Sequence, residues 1–401
     1  MVACTTLCGL VSFFLGLKGI AVRILHFYKT YYPDSVGGVE QVINQLARGT
    51  IRAGSSVEVL SLTPKKKVKT IEIDGYFSHQ ARQNFQIAST PFSWSVLRYF
   101  RALANQADIV HYHFPWPFMD IVHFATMLNR PCVATYHSDI VRQKNLLKMY
   151  RPLQHCFLRS VDKIIATSPN YFATSGVLEK FKNKVSVIPI GLDRSTYPAV
   201  NENRKIYWKN ILGNRFFLFV GALRYYKGLH ILLDAVVGTN FPVIIVGAGP
   251  IERELKQQVM RLGLNNVKFL GSLPDEDKCA LLELCYSVVF PSHLRSEAFG
   301  ISLLEGAMFG KPLISSEIGT GTSYINASGE TGLVVPPENP IELRQAMQFL
   351  WDNEEIASAM GHAALQRYWS NFTADQMVRS YMNLYEDVLA SKNIHTITSD
   401  N

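Results

Sequence analysis

From Val22 onward, short apolar and β-branched runs alternate with longer stretches whose apolar residues recur at helical spacing. That alternation predicts parallel strands joined by helical crossovers. In the first half the predicted strands are Val22–Tyr28, Val57–Leu62, Asp108–Tyr112, Cys132–Tyr136, Lys163–Thr167 and Val185–Ile190. Helices are predicted between them over Val39–Ala53, Ser95–Asn105 and Gln143–Leu158. The second half repeats the theme with Phe216–Val220, Pro242–Val246, Val267–Leu270, Tyr286–Phe290, Pro312–Ser315 and Gly332–Val335. Helices are expected to start there at Gly228, Ile251, Asp275, Gly300, Pro340 and Thr373. Between the halves, Gly191–Asn214 loses the sheet pattern and turns polar, with Pro198 and several Asn, and reads as the domain boundary.

A chain of 401 residues exceeds what one core supports, roughly 250–300 residues. The expectation is therefore an α/β protein with two Rossmann-like, doubly wound parallel-sheet domains, over 22–195 and 213–372, facing each other across a cleft. The helix over about 373–391 could pack back on the first domain. Ligands of such sheets sit at the carboxyl ends of strands, which places the site in that cleft. Residues 1–21 stand apart. Their apolar run from Leu7 is broken by Lys18 and has no preceding cation, so it is short for a membrane span and lacks the marks of a signal peptide. A start-site extension, a disordered tail and a membrane-associating tail all remain open.

Composition narrows the class. Hydrophobic residues at 48% and charged residues at 18% exclude a disordered chain. The six cysteines are scattered without metal-ligand spacing, which fits a reducing compartment and argues against a zinc or disulfide framework. Charge is uneven: residues 22–196 hold 22 Lys and Arg against 11 Asp and Glu, although the whole chain is only +8. The first half is therefore expected to face something anionic. Nucleic acid is disfavoured, because no recognition signature accompanies the basic half and its aromatics are core-like. The run Lys65-Lys66-Lys67 with Lys69 reads as a solvated loop.

Candidate chemistry gathers where predicted strands end. In Ser296-Glu297-Ala-Phe-Gly300-Ile301-Ser-Leu-Leu-Glu305 a loop carboxylate precedes a helix start, and a second carboxylate follows one to two turns in. A helix N-terminus suits a diphosphate, and carboxylates accept hydrogen bonds from sugar and ribose hydroxyls. The alternative is that Glu297 caps the helix and Glu305 lies on the surface. Upstream, Leu223-Arg224-Tyr-Tyr-Lys227-Gly228 follows a strand, and its two cations could clamp a pyrophosphate as it leaves or be ordinary surface cations. Gly247-Ala-Gly249-Pro250 begins like a dinucleotide fingerprint, but Glu252 stands where the third glycine belongs. It reads as a tight strand-to-helix turn and not as an NAD site.

In this order the motifs, with Gly329-Glu-Thr-Gly-Leu-Val-Val-Pro336, Gly37-Gly38-Val-Glu40, Tyr136-His137-Ser-Asp139 and Pro189-Ile-Gly191-Leu-Asp193, make the chain resemble retaining glycosyltransferases of family 4, which have the GT-B fold. The likeness covers roughly residues 23–389. Leu223–Lys227 and Glu317-Ile-Gly-Thr-Gly-Thr-Ser323 further resemble bacterial mannosyl- and rhamnosyltransferases of O-antigen assembly. The resemblance implies that Glu297 touches the donor sugar, that Glu305 binds the nucleotide ribose, and that Arg224 and Lys227 neutralise the diphosphate. It implies that Gly37 and Gly38 form a turn approaching the diphosphate, that His137 lies beside the reacting centre, and that Gly300 and Ile301 present backbone N–H groups. Many relatives carry the arginine directly after the glycine, where this chain has Ala222. Arg224, two positions later on an extended segment, points to the same side. Asp275 falls where guanine-nucleotide enzymes place a base-reading acid, or else caps the helix Glu276–Cys285.

The resemblance thus implies a hexosyltransferase using a nucleotide-sugar donor, with mannose or rhamnose from a GDP-sugar expected. The resemblance also implies a lipid-linked saccharide as acceptor, at the cytoplasmic face of the inner membrane, with the enzyme expected to be peripheral to it. No Asp-x-Asp pair stands in the usual metal-binding setting, and the chemistry is expected to need no cofactor or divalent ion. Transfer of glucose or N-acetylglucosamine from a UDP-sugar, an epimerase or phosphorylase of the same fold, and a non-catalytic carbohydrate-binding protein are the alternatives. Val141–Arg151 interleaves cations with apolar residues at helical spacing, as an interfacial helix does and as an ordinary amphipathic helix with a solvated basic face also does. His111, His113, His123 and His155 read as core or cleft histidines, with His113 nearest the expected cleft.

Overall fold

The computed structural model describes residues 21–66, 68–87, 90–140 and 144–399. The apolar segment through residue 20, and Val141–Gln143 of the basic helix, lie outside the described residues. The first half runs β1 (Arg23–Phe27), α1 (Gly38–Arg52), β2 (Ser56–Thr63), β3 (Thr70–Ile73), β4 (Tyr76–Arg82), β5 (Phe85–Ile87), β6 (Thr90–Phe92), α2 (Val96–Gln106), β7 (Ile109–Phe114), α3 (Pro117–Thr126), β8 (Cys132–Tyr136), α4 (Lys144–Ser160), β9 (Lys163–Ala166), α5 (Pro169–Thr174) and β10 (Val185–Val187). Eight of these strands form one sheet in the order β10-β9-β8-β7-β1-β2-β4-β3, while β5 and β6 pair separately. β1 pairs in parallel with β2 and β7, and β7 and β8 are buried along their whole length, as expected of strands covered on both faces. The edge strand β3 pairs antiparallel with β4 and is joined to it through Asp74-Gly75, both at positive φ. This is the hairpin turn that an Asp-Gly pair favours.

The second half runs α6 (Glu202–Leu212), β11 (Phe217–Val220), α7 (Leu229–Ala235), β12 (Val243–Val246), α8 (Glu252–Leu262), β13 (Val267–Gly271), α9 (Asp275–Leu284), β14 (Ser287–Phe290), α10 (Ile301–Met308), β15 (Leu313–Ser316), α11 (Gly321–Ile325), β16 (Gly332–Val335), α12 (Pro340–Asp352), α13 (Glu354–Asn371) and α14 (Ala374–Ser399). Its six-stranded sheet has the order β13-β12-β11-β14-β15-β16, parallel throughout. The order reverses between β11 and β14, and the crevice beyond the carboxyl ends of these two strands is where a doubly wound sheet binds ligands. A core of Phe217, Phe219, Val243, Ile245, Leu343 and Met347 beside the sheet holds this frame rigid.

The polar boundary stretch is not a plain linker: it contains α6. Trp208 Nε1 donates to Asp277 Oδ1 at 2.8 Å, and Arg204 pairs with the same carboxylate at 2.7 Å, so α6 is fastened to α9. By proximity the chain groups into two compact units. One holds the described residues up to Thr135, with Tyr150–Ile164 and those from Val378 on; the other holds Tyr136–Met149 and Ile165–Met377. In the first unit, α14 is tied to the sheet through Tyr385, 2.7 Å from His111 Nδ1, and Tyr381, 2.8 Å from Thr135 Oγ1.

Candidate active site

The loops that follow β11 and β14 meet at the reversal of the second sheet. After β11 the chain makes a one-turn 3-10 helix, Tyr225–Lys227, closed by Gly228 at φ 71°. A Cβ on Gly228 would lie 1.9 Å from the Pro291 carbonyl oxygen, so only glycine lets this loop seat against the end of β14. The seat is also held by His293 N–H donating to Tyr226 O at 3.0 Å. It delivers Lys227, which is buried, to Glu297, also buried. Lys227 Nζ donates to Glu297 Oε2, and the Ser292 hydroxyl reaches the same oxygen at 3.5 Å. Lys227 Nζ also lies 4.5 Å from the centre of the Phe290 ring. Glu297 is therefore not the cap of α10, whose start has no side-chain cap. Arg224 takes no part in this pair; its side chain is exposed.

Gly300, at φ 98°, is the N-cap of α10, and Ile301 is the first helical residue. The first turn of a helix has N–H groups without intrahelical partners, and here they lie just past the Lys227–Glu297 pair in sequence. Glu305 sits in the second turn and is 3% exposed, which disposes of a surface role. Its Oε1 accepts from the Tyr197 hydroxyl at 2.9 Å and from Lys278 Nζ at 3.1 Å. Lys278 also pairs with Asp275 Oδ1 at 2.9 Å. Burial lowers the Lys278 pKa, but the two carboxylates outweigh it and hold the ammonium charged. Asp275 is the first residue of α9 and not its cap, which is Pro274. Its side chain is 70% exposed, so one lysine joins an exposed acid to a buried one.

The same unit brings a third segment to the Glu297 loop. His137, buried, follows β8. Two residues on, Asp139 accepts from Tyr136 Oη at 2.8 Å and from Arg295 Nη2 at 3.2 Å. Arg295 also donates to Thr174 Oγ1 at 2.8 Å and to Gly319 O at 2.9 Å. Arg295, Asp139, Lys278 and Tyr197 were not singled out in the sequence, because each works through a partner distant along the chain. The only local sign was Asp139 inside the quoted Tyr136-His137-Ser-Asp139 motif. The Gly247-Ala-Gly249 turn packs backbone on backbone: Cβ atoms there would meet Gly221 O at 2.0 Å and Leu223 O at 2.3 Å. That closeness positions the Arg224–Lys227 loop.

Gly37 and Gly38 belong to the first unit. Gly37, extended at φ −136°, is the N-cap of α1, which starts at Gly38. A Cβ on Gly37 would lie 2.6 Å from Glu40 Oε2. That carboxylate is buried and accepts from Thr30 and Ser35 hydroxyls at 2.8 and 2.7 Å. Also in this unit, His111 bonds Tyr385 and Thr135, and His123 bonds Tyr112 and Ser160. His113 Nε2 lies 3.0 Å from His26 Nδ1. His26, His111 and His113 form the one metal-capable cluster among the described residues, fully buried. Both nitrogens of His111 are already engaged by hydroxyls, which makes the cluster a hydrogen-bonded core feature.

Residues 202–367 match the family described as glycosyl transferases group 1, and residues 36–196 match glycosyltransferase family 4. The chain is 59% identical over 353 residues to the D-rhamnosyltransferase WbpZ of Pseudomonas aeruginosa, covering 88% of this chain and 93% of that protein. It is 50% identical over 371 residues to the O-antigen chain mannosyltransferase C of Escherichia coli, covering 92% of this chain and 100% of that protein. Among solved structures, a sucrose-phosphate synthase from Thermosynechococcus elongatus superposes with a TM-score of 0.78 at 19% identity, over 92% of this chain and 100% of that one. Anabaena HepE in complex with UDP and glucose does so at 0.72 and 20% identity, over 91% of this chain and 100% of that one. The two structures speak to the fold.

Proposed function

The chain belongs to the glycosyltransferases of group 1 and family 4, and from that premise we propose that it transfers mannose or rhamnose from a GDP-sugar to a lipid-linked saccharide. It is a hexosyltransferase of O-antigen assembly, like the relatives it matches over most of its length. The reading of the site is supported by one observation: a buried Lys227–Glu297 pair at the reversal of a doubly wound sheet, with Glu297 just before the start of α10 in sequence.

In this reading the donor diphosphate draws on Lys227 and on the N–H groups at Gly300 and Ile301, with Arg224 as an exposed second cation. Glu297 and His137 hold the hexose, and Glu305 accepts from the ribose. Asp275 accepts from N1–H and the exocyclic amine of guanine. The bond from the anomeric carbon to the β-phosphate oxygen breaks with its electron pair going to phosphate. The acceptor oxygen bonds the same face of that carbon, and its proton passes to the departing phosphate. Lys227 stabilises the charge that develops on the leaving group, so the reaction is read as independent of a divalent ion. Pairing with Glu297 keeps the lysine aimed before the donor arrives.

The test is transfer from GDP-mannose, GDP-rhamnose, UDP-glucose and UDP-N-acetylglucosamine by the parent, Lys227→Ala and Lys227→Met/Glu297→Gln. A GDP-sugar should be used best, and both variants should lose roughly 10²–10³ in kcat. The single variant strands a buried carboxylate and melts lower, whereas the double variant removes both charges. Turnover within a few-fold of the parent in the double variant would overturn the assignment.

A further inference from the structure

The lysine run that follows β2 was expected to be a solvated loop. Lys65, Lys66 and Lys69 are indeed exposed, and they line a concavity of about 350 Å³ with Asp34 of the β1–α1 loop and Gln80 of β4. Asp34 is its fixed point. The side chain of this carboxylate is only 7% exposed and pairs with Lys65 Nζ at 2.6 Å. It also accepts from Gln80 Nε2 at 3.2 Å and from the Thr63 hydroxyl. One lysine is thereby neutralised and aimed. Among the described residues Lys66 and Lys69 have no ion-pair partner, so the concavity keeps two net positive charges. It opens at the carboxyl ends of β1, β2 and β4, which run parallel, the rim where a sheet of this kind takes its ligands.

We propose that this concavity holds the diphosphate of the acceptor, a sugar-bearing organic diphosphate ester. Such an ester carries two negative charges at neutral pH, matching Lys66 and Lys69. Lysines serve phosphate as point charges without needing a planar fork. A hollow floored by a fixed carboxylate suits a discrete head group better than a flat lipid surface. The inference rests on the reading that the acceptor is a lipid-linked saccharide, and the experiment separates the two.

The variant is Lys66→Gln/Lys69→Gln in the full chain; both side chains are exposed, so its melting temperature should match the parent's. Binding of a short-chain, water-soluble sugar diphosphate ester is measured by titration calorimetry without donor. Transfer is measured to that ester and to the same saccharide as a neutral alkyl glycoside. The ester should bind about tenfold more weakly to the variant and show a KM about tenfold higher. KM for the donor and for the neutral glycoside should stay as in the parent. Equal affinity in parent and variant, an equal loss on the neutral glycoside, or a raised donor KM would overturn the proposal. So would loss of sedimentation with phosphatidylglycerol vesicles while the soluble ester still binds normally, which would assign the lysines to the membrane surface. Ester binding that depends on the two lysines in a protein that transfers no sugar would leave the site standing and remove the reading it rests on.

Discussion

A buried side chain reports its surroundings through the proton it refuses. His26 lies wholly inside the first unit, and burial pushes its pKa down to about 3; burial likewise brings His123 to about 4. An unfolded chain protonates both near pH 6.5, so below that value the unfolded state binds more protons and stability falls with pH. The loss begins near 6.5 and continues until the folded pKa is reached, at up to about 1.4 kcal/mol per pH unit for each histidine. Chemical denaturation of the parent between pH 7.5 and 4.5 should therefore show a declining unfolding free energy. In His26→Asn, which keeps a polar side chain that cannot titrate, the decline should be shallower by one proton; parallel curves would mean that His26 does not contribute. Lys227 and Glu297 make the complementary case: removing one partner of a buried pair leaves the other without its hydrogen bond, so neither is easily replaced alone.

Elements reach the site through glycines whose Cβ atoms have no room. Gly228 combines positive φ with a would-be Cβ 1.9 Å from Pro291 O, whereas Gly263, at φ 64° beyond α8, has nothing within 4 Å. Gly263→Ala should cost about 1 kcal/mol for the left-handed backbone alone and leave kcat unchanged. Gly228→Ala adds a backbone collision, so it should cost more and lower kcat at least tenfold by withdrawing Lys227 from Glu297; equal kcat in the two variants would refute this positioning. These loops were legible in sequence because Gly, Lys and Glu stand where apolar strands such as Phe217–Val220 stop. Other elements were not. The Asp74-Gly75 hairpin was missed although its turn signal is strong, because β4 is rich in polar residues. α3 was hidden by Pro117, a helix breaker in most places but well suited to a first turn. α6 buries little beyond Trp208 and Leu212, so its sequence has no apolar stripe to betray a helix. Arg295 and Lys278 act through Asp139 and Glu305, 156 and 27 residues away, and separations of that kind leave no local periodicity.

For the molecule as a whole, charge separation is the property that no single contact explains. The stretch 22–196 carries 22 basic against 11 acidic residues, and an ion pair within it, such as Arg23–Asp108, removes one charge of each sign and leaves that excess unchanged. No described helix is long and apolar enough to cross a membrane. In α4, Leu146 and Met149 are 50% and 80% exposed beside exposed Lys148 and Arg151, the pairing of apolar and cationic side chains that interfacial helices use, and membrane binding through it is a prediction. Each such cation contributes about 1 kcal/mol close to an anionic surface, and the attraction fades within about 10 Å at 0.1 M salt. Sedimentation should accordingly show binding to phosphatidylglycerol-containing vesicles at low salt, release at 0.5–1 M salt (roughly 3–5 Å of screening), and little binding to phosphatidylcholine alone. Leu146→Ser/Met149→Ser should weaken binding at every salt concentration without altering its salt dependence, because the apolar and electrostatic contributions are separate. Equal binding to neutral and anionic vesicles would refute the electrostatic part. A double variant that binds like the parent would refute the part assigned to α4, and the basic half would then owe its charge to the acceptor alone.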